Sequence, residues 1–97
     1  MVLNQNGNTT LSPGGSYTIP DDGSHVFSNQ TCLARLEWSG EHKICIIPWT
    51  GGVNEVVIGG NFGINVYFTR ITNGGPIKIT NGTGGTVTCY YSVSNFG

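Results

Sequence analysis

Glycine-bearing breaks cut this chain into pieces too short for helices. Pro13-Gly14-Gly15, Asp21-Asp22-Gly23, Ser39-Gly40, Thr50-Gly51-Gly52, Gly59-Gly60, Asn73-Gly74-Gly75 and Asn81-Gly82 all carry turn chemistry. Between the breaks, apolar and polar residues alternate with a period of two, the mark of strands with one buried face. In TCLARLEWS, Cys32, Ala34, Leu36 and Trp38 share one face, and Leu33, Arg35 and Glu37 the other. GTVTCYYSVS places Val87, Cys89, Tyr91 and Val93 inward and Thr86, Thr88, Tyr90 and Ser92 outward.

The remaining segments read the same way. NTTLS, SYTIP and SHVFS are short strands, and HKICIIPW is rich in β-branched residues, with Pro48 marking a strand end or an edge. VNEVVI is a strand closed by Gly59-Gly60. NFGINVYFTRI sets Ile64, Val66 and Phe68 against Asn65, Tyr67 and Thr69, with Gly63 as a candidate bulge. No window carries the apolar spacing of an amphipathic helix. The expectation is an all-β protein: a compact antiparallel β-sandwich, jelly-roll-like or a small barrel of about eight short strands. One domain spans residues 1–97, with the polar residues 1–10 expected as a flexible N-terminal arm.

The tetrapeptide Ile-Thr-Asn-Gly occurs twice, at 71–74 and 79–82. Asn-Gly is the preferred pair for type I′ hairpin turns, so both copies are expected to end a strand and reverse the chain. Turn chemistry accounts for them better than a ligand-binding repeat, which needs more copies to build a stacked surface.

Charged residues make up 9% of the chain, against about 25% in ordinary domains. Solubility therefore rests on Asn, Thr, Ser and Gly, as in proteins of assemblies and extracellular settings. With four Lys and Arg and a net charge of −1, the chain lacks the cationic footprint that binding phosphates requires, which excludes nucleic acid as a partner. No apolar run is long enough to enter and cross a bilayer, and the opening MVLNQNGNTT does not read as a signal peptide. The chain is expected to be made and kept in a cytoplasm, or to have lost a leader.

Three cysteines, Cys32, Cys45 and Cys89, fit buried reduced thiols better than a disulfide framework, with a Cys32–Cys89 bridge as the alternative. No motif joins a nucleophile to a base: Cys45 follows His42 by three residues, which on a strand puts them on opposite faces. Cys32, His42, Cys45 and Cys89 lack zinc spacing, and Asp21-Asp22-Gly23 lacks the further oxygens of a calcium loop. No catalytic, cofactor-binding or metal-ligating residue is expected. The sequons at Asn8, Asn29 and Asn81 are accidents of an Asn- and Thr-rich composition. Trp38 shares the face of Ala34 and Leu36 and belongs to the core, whereas Trp49, beside Pro48 and a Thr-Gly-Gly turn, is the better candidate for an exposed contact.

GGSYTIPDDGSHVFSN and KITNGTGGTVTCYYSVSN, at the two ends of the chain, are similar to stretches of small all-β bacteriophage virion proteins. The likeness lies in a Gly-rich turn, a SYTIP-like strand, an IPxDG-like turn, and a closing strand of alternating Thr, Val and Tyr after an ITNG-like turn. It implies a non-enzymatic structural part of a virion: a capsid decoration protein or a tail or fibre accessory, made in the host cytoplasm. Such a part binds a capsid or tail protein lattice, commonly as a homotrimer. The near absence of edge-guarding charges agrees with edges protected by neighbouring copies. Tyr17, Trp49, Tyr67 and Tyr90 are the aromatic residues expected to anchor such interfaces. The alternative is a carbohydrate-binding or adhesin module using Trp49 and the Asn-Gly loops, with a glycan as partner. A small cysteine-dependent hydrolase is a third class.

Overall fold

Strands that alternate apolar and polar residues bury their apolar faces by stacking as two sheets. A computed structural model describes residues 4–20, 27–60 and 65–96, and every regular element in them is a strand. These are β1 (Asn4–Leu11), β2 (Ser16–Thr18), β3 (Cys32–Trp38), β4 (Glu41–Ile47), β5 (Val56–Gly60), β6 (Val66–Arg70), β7 (Ile77–Asn81) and β8 (Val87–Asn95). A five-stranded sheet has the order β1-β8-β3-β4-β5 and a three-stranded sheet the order β2-β7-β6, with all pairings antiparallel. The described residues thus form an all-β sandwich of eight short strands.

The core lies between the sheets where the alternation places it. Cys32, Ala34, Leu36 and Trp38 of β3 and Val87, Cys89, Tyr91 and Val93 of β8 meet Val66 and Phe68 of β6 and Ile77 and Ile79 of β7. Each fully buried Leu, Ile or Phe contributes about 1.5–3 kcal/mol of transfer free energy. All three cysteines are buried and free, so the Cys32–Cys89 bridge does not form.

Three local expectations are corrected. The segment expected as an arm is, from Asn4 onward, the edge strand β1, paired with β8 through Leu11. Its inward positions have little apolar bulk because Tyr91 fills the space over Gly7, where an added Cβ would stand 2.4 Å from the tyrosine hydroxyl. The type I′ conformation belongs to Ser39 and Gly40, both at positive φ between the partners Trp38 and Glu41, and to neither Asn-Gly pair. Finally, the strand expected over VNEVVI begins only at Val56, as β5, and ends on Gly59-Gly60. Asp21, Asp22, the SHV part of SHVFS, Gly63 and Ile64 lie outside the described residues.

The two Ile-Thr-Asn-Gly copies have different roles. The first forms the connection of the β6–β7 hairpin, with Gly74 at φ +64°. It docks on the loop after β4: Gly74 N donates to Trp49 O at 2.7 Å, and Gly51 N donates to Asn73 Oδ1 at 2.8 Å. The second copy does not turn a hairpin, because β7 and β8 belong to different sheets.

Asn81 of that second copy is a buried junction. Its Nδ2 donates to Leu11 O at 3.0 Å and to Gly85 O at 2.8 Å, and its Oδ1 accepts from Thr83 N at 2.9 Å and Thr83 Oγ1 at 2.6 Å. One side chain therefore fixes the end of β1, the end of β7 and the crossover between the sheets. Replacing it orphans several buried groups at once. Asn81→Ala is expected to lower unfolding free energy by about 3 kcal/mol in urea denaturation, whereas Asn8→Ala on the exposed face should cost less than about 0.5 kcal/mol.

Candidate functional site

Recognition in a small sandwich falls to its outer faces and edges, since the interior is filled. The outer face of the five-stranded sheet has two halves. On β1 and β8, Asn4, Asn6, Asn8 and Thr10 stand opposite Ser94, Ser92, Tyr90 and Thr88 in a polar ladder. Within it Asn4 Nδ2 donates to Ser94 Oγ at 2.5 Å, and the hydroxyls of Thr10 and Thr88 lie 3.0 Å apart. Arg35 and Glu37 of β3 form an exposed ion pair in the middle.

The other half is apolar. Register places Leu33 beside Ile46, and Ile46 beside Val56, while Ile44 pairs with Gly59. Leu33 (38%), Ile44 (40%), Val56 (55%) and Ile58 (56%) are exposed. A bulge between Ile44 and Cys45 pairs Cys45 with Val57 and Ile44 with Gly59, leaving Ile58 without a partner on β4. Among the described residues no strand pairs with the far side of β5, and its sequence Val-Val-Ile-Gly-Gly carries neither charge nor proline. Charge and proline are two of the usual guards of an edge strand, so among the described residues the outer edge of β5 has only its shortness and the adjacent bulge to guard it.

The four aromatic candidates do not share a surface. Tyr17 faces inward from β2 against Tyr91, with ring centroids 6.0 Å apart. Trp49 is 46% exposed in the loop after β4, and its indole packs on Gly74. Tyr67 is half-buried on the outer side of β6, and Tyr90 is exposed on the outer side of β8, on opposite faces of the sandwich. The apolar patch at β5 was not singled out from the sequence. The phase of Leu33 was readable, but the alignment of β3, β4 and β5 that gathers Leu33, Ile44, Val56 and Ile58 was not.

Interior chemistry is quiet. Burial pushes the Cys45 thiol up to about 12, with nearby Glu55 adding to the rise and Lys43 opposing it, and burial also raises Cys89. Burial first, then a hydrogen bond with Tyr17, raises the Tyr91 phenol to about 12. Thiols held protonated are poor nucleophiles. Among the described residues no three His, Cys, Asp or Glu side chains come together as metal ligands. No family model matches the chain, and neither does any curated protein or solved structure.

These shifts fix a pH dependence. Groups whose folded values lie above their unfolded ones stabilise fully below the unfolded value, 9.0 for Cys45, and lose that contribution as pH rises toward about 12. Stability is therefore expected to fall progressively above pH 9. All three thiols should label slowly in the native state at pH 8 and rapidly in denaturant, as followed by mass spectrometry. One thiol labelling at the free-cysteine rate in the folded protein would contradict the buried assignment.

Proposed function

We propose that the chain is a non-enzymatic structural component of a virion, of the capsid decoration or tail or fibre accessory kind, that associates with copies of itself and binds a protein lattice. The observation that carries the self-association is the apolar edge at β5, which lacks charge and proline. The resemblance of the two end segments to phage virion proteins supplies the setting.

A second copy is the occupant that suits this edge. An antiparallel pairing centred on Ile58 sets Ile58 against its own copy, Val57 against Gly59 and Val56 against Gly60. The β-branched residues thus meet glycines, and an added Cβ at Gly59 would find nothing within 4 Å. A net charge of −1 imposes little self-repulsion. The exposed patch is small, below the roughly 600–1,000 Å² per partner of stable specific interfaces, so association should depend on concentration and gain from avidity on a lattice. The two-fold contact gives a dimer, in place of the trimer that the resemblance implies. The half-exposed Trp49 keeps the carbohydrate-binding alternative, which a glycan array with the Trp49→Ala variant separates from this reading.

Light scattering after size exclusion at high micromolar concentration should give twice the chain mass. Ile58→Lys should give the monomer mass with an unchanged far-ultraviolet circular dichroism spectrum. A wild-type protein that stays monomeric would contradict the self-association.

A further inference from the structure

The three-stranded sheet turns a different chemistry outward. Its register forms two rows across β2, β7 and β6: Ser16, Thr80 and Tyr67, then Thr18, Lys78 and Thr69. Asn54 extends the second row by an isolated bridge to Thr69. Between β6, β7 and the 52–54 segment lies a cleft of about 340 Å³. Tyr67 and Ile71 supply apolar surface to it, and Thr69, Thr80, Lys78 and Asn54 supply polar groups.

Two features of this cleft are unexplained by the fold. Thr69 is 9% exposed, and its Oγ1 and that of Thr80 are both covered and without a hydrogen-bond partner. Covered hydroxyls without partners are uncommon in folded proteins, and here two line one cleft. Among the described residues, moreover, no carboxylate lines the cleft, and the ion pairs Arg35–Glu37 and Lys43–Glu55 engage neither Lys78 nor Arg70 behind it. The guanidinium of Arg70 is held by three carbonyl oxygens and the Cys32 sulfur, none of which carries a neutralising charge. The cleft thus combines uncompensated positive charge, hydroxyls lacking partners and an aromatic side chain.

We propose that this cleft binds an acidic saccharide, with its carboxylate on Lys78, its hydroxyls on Thr69, Thr80 and Asn54, and its ring against Tyr67. A neutral sugar would leave the charge unanswered, and a free phosphate would leave Tyr67 and Ile71 unused. The site is built on the outer face of the three-stranded sheet, whereas β5 belongs to the five-stranded one, and it does not depend on self-association.

The test is titration of the full chain with glucuronate, glucose and inorganic phosphate, followed by calorimetry and by amide chemical shifts. Glucuronate should bind roughly tenfold more tightly than either of the others, and Lys78→Gln should abolish that preference, as expected for one charge-assisted contact. Thr69→Val keeps the side-chain shape and removes the hydroxyl without a partner. It should weaken glucuronate binding roughly threefold or more without lowering the thermal midpoint, a combination that a purely structural threonine would not give. No shift with glucuronate at tens of millimolar, roughly equal binding of phosphate, or unchanged affinity in Lys78→Gln would each overturn the proposal.

Discussion

Arg70 holds one end of the sandwich shut. It sits at the last position of β6, 1% exposed, in phase with Val66 and Phe68. Its Nε donates to Pro48 O at 2.8 Å, and its Nη1 to Gly75 O at 2.7 Å and Phe27 O at 3.1 Å. Three separate stretches of chain thus end on one guanidinium: the approach to β3, the exit of β4 and the β6–β7 loop. A planar group with five fixed donors can do this, whereas a flexible ammonium cannot. At the other end of β6, buried Lys43 donates to Val66 O at 2.6 Å, pairs with buried Glu55 and lies under the Trp38 ring. Both cations join the two sheets, so a chain with free cysteines fixes its layers through buried hydrogen bonds rather than covalent links.

That arrangement determines what is left for recognition. With polar anchors inside, the two outer faces can differ in character without weakening the core. The larger sheet offers an apolar edge suited to another strand, and the smaller offers hydroxyls around a lysine. The segment from Gly52 to Glu55 links the two, because Gly52 N donates to Arg70 O and Glu55 N to Phe68 O before the chain returns to the larger sheet as β5. The side of β6 that frames the cleft and the entry to the β5 edge are therefore positioned by the same four-residue stretch, Arg70 and Lys43 securing its surroundings.

Period-two alternation made much of the fold legible. The inward faces of β3 and β8 and the shared inward phase of Val66 and Phe68 follow from pattern alone, as does the end of β4 at Pro48. The buried cations did not, although Lys43 is in phase with Cys45 and Ile47, because lysine and arginine are almost never fully buried without specific partners, and those partners come from distant segments. The polar opening residues read as an arm because their contribution to the sheet is backbone pairing and space for Tyr91 rather than apolar bulk. The second Ile-Thr-Asn-Gly copy misled for a related reason: Asn81 spends its side chain on a crossover between sheets, and local turn preference cannot reveal which sheet comes next. The outer-face sites needed strand order, since Ile58 gains significance from an unpaired neighbour and Thr69 from Lys78 beside it.

The most direct test of this account is the equilibrium unfolding of Arg70→Met and Arg70→Lys beside the unaltered chain. Methionine fills similar volume but leaves three carbonyl groups without their donor, so a loss of about 3 kcal/mol or more is expected, with lysine restoring only part of it. A methionine variant within about 1 kcal/mol of the unaltered protein would show that the guanidinium is dispensable and that the sheets are held by apolar packing alone.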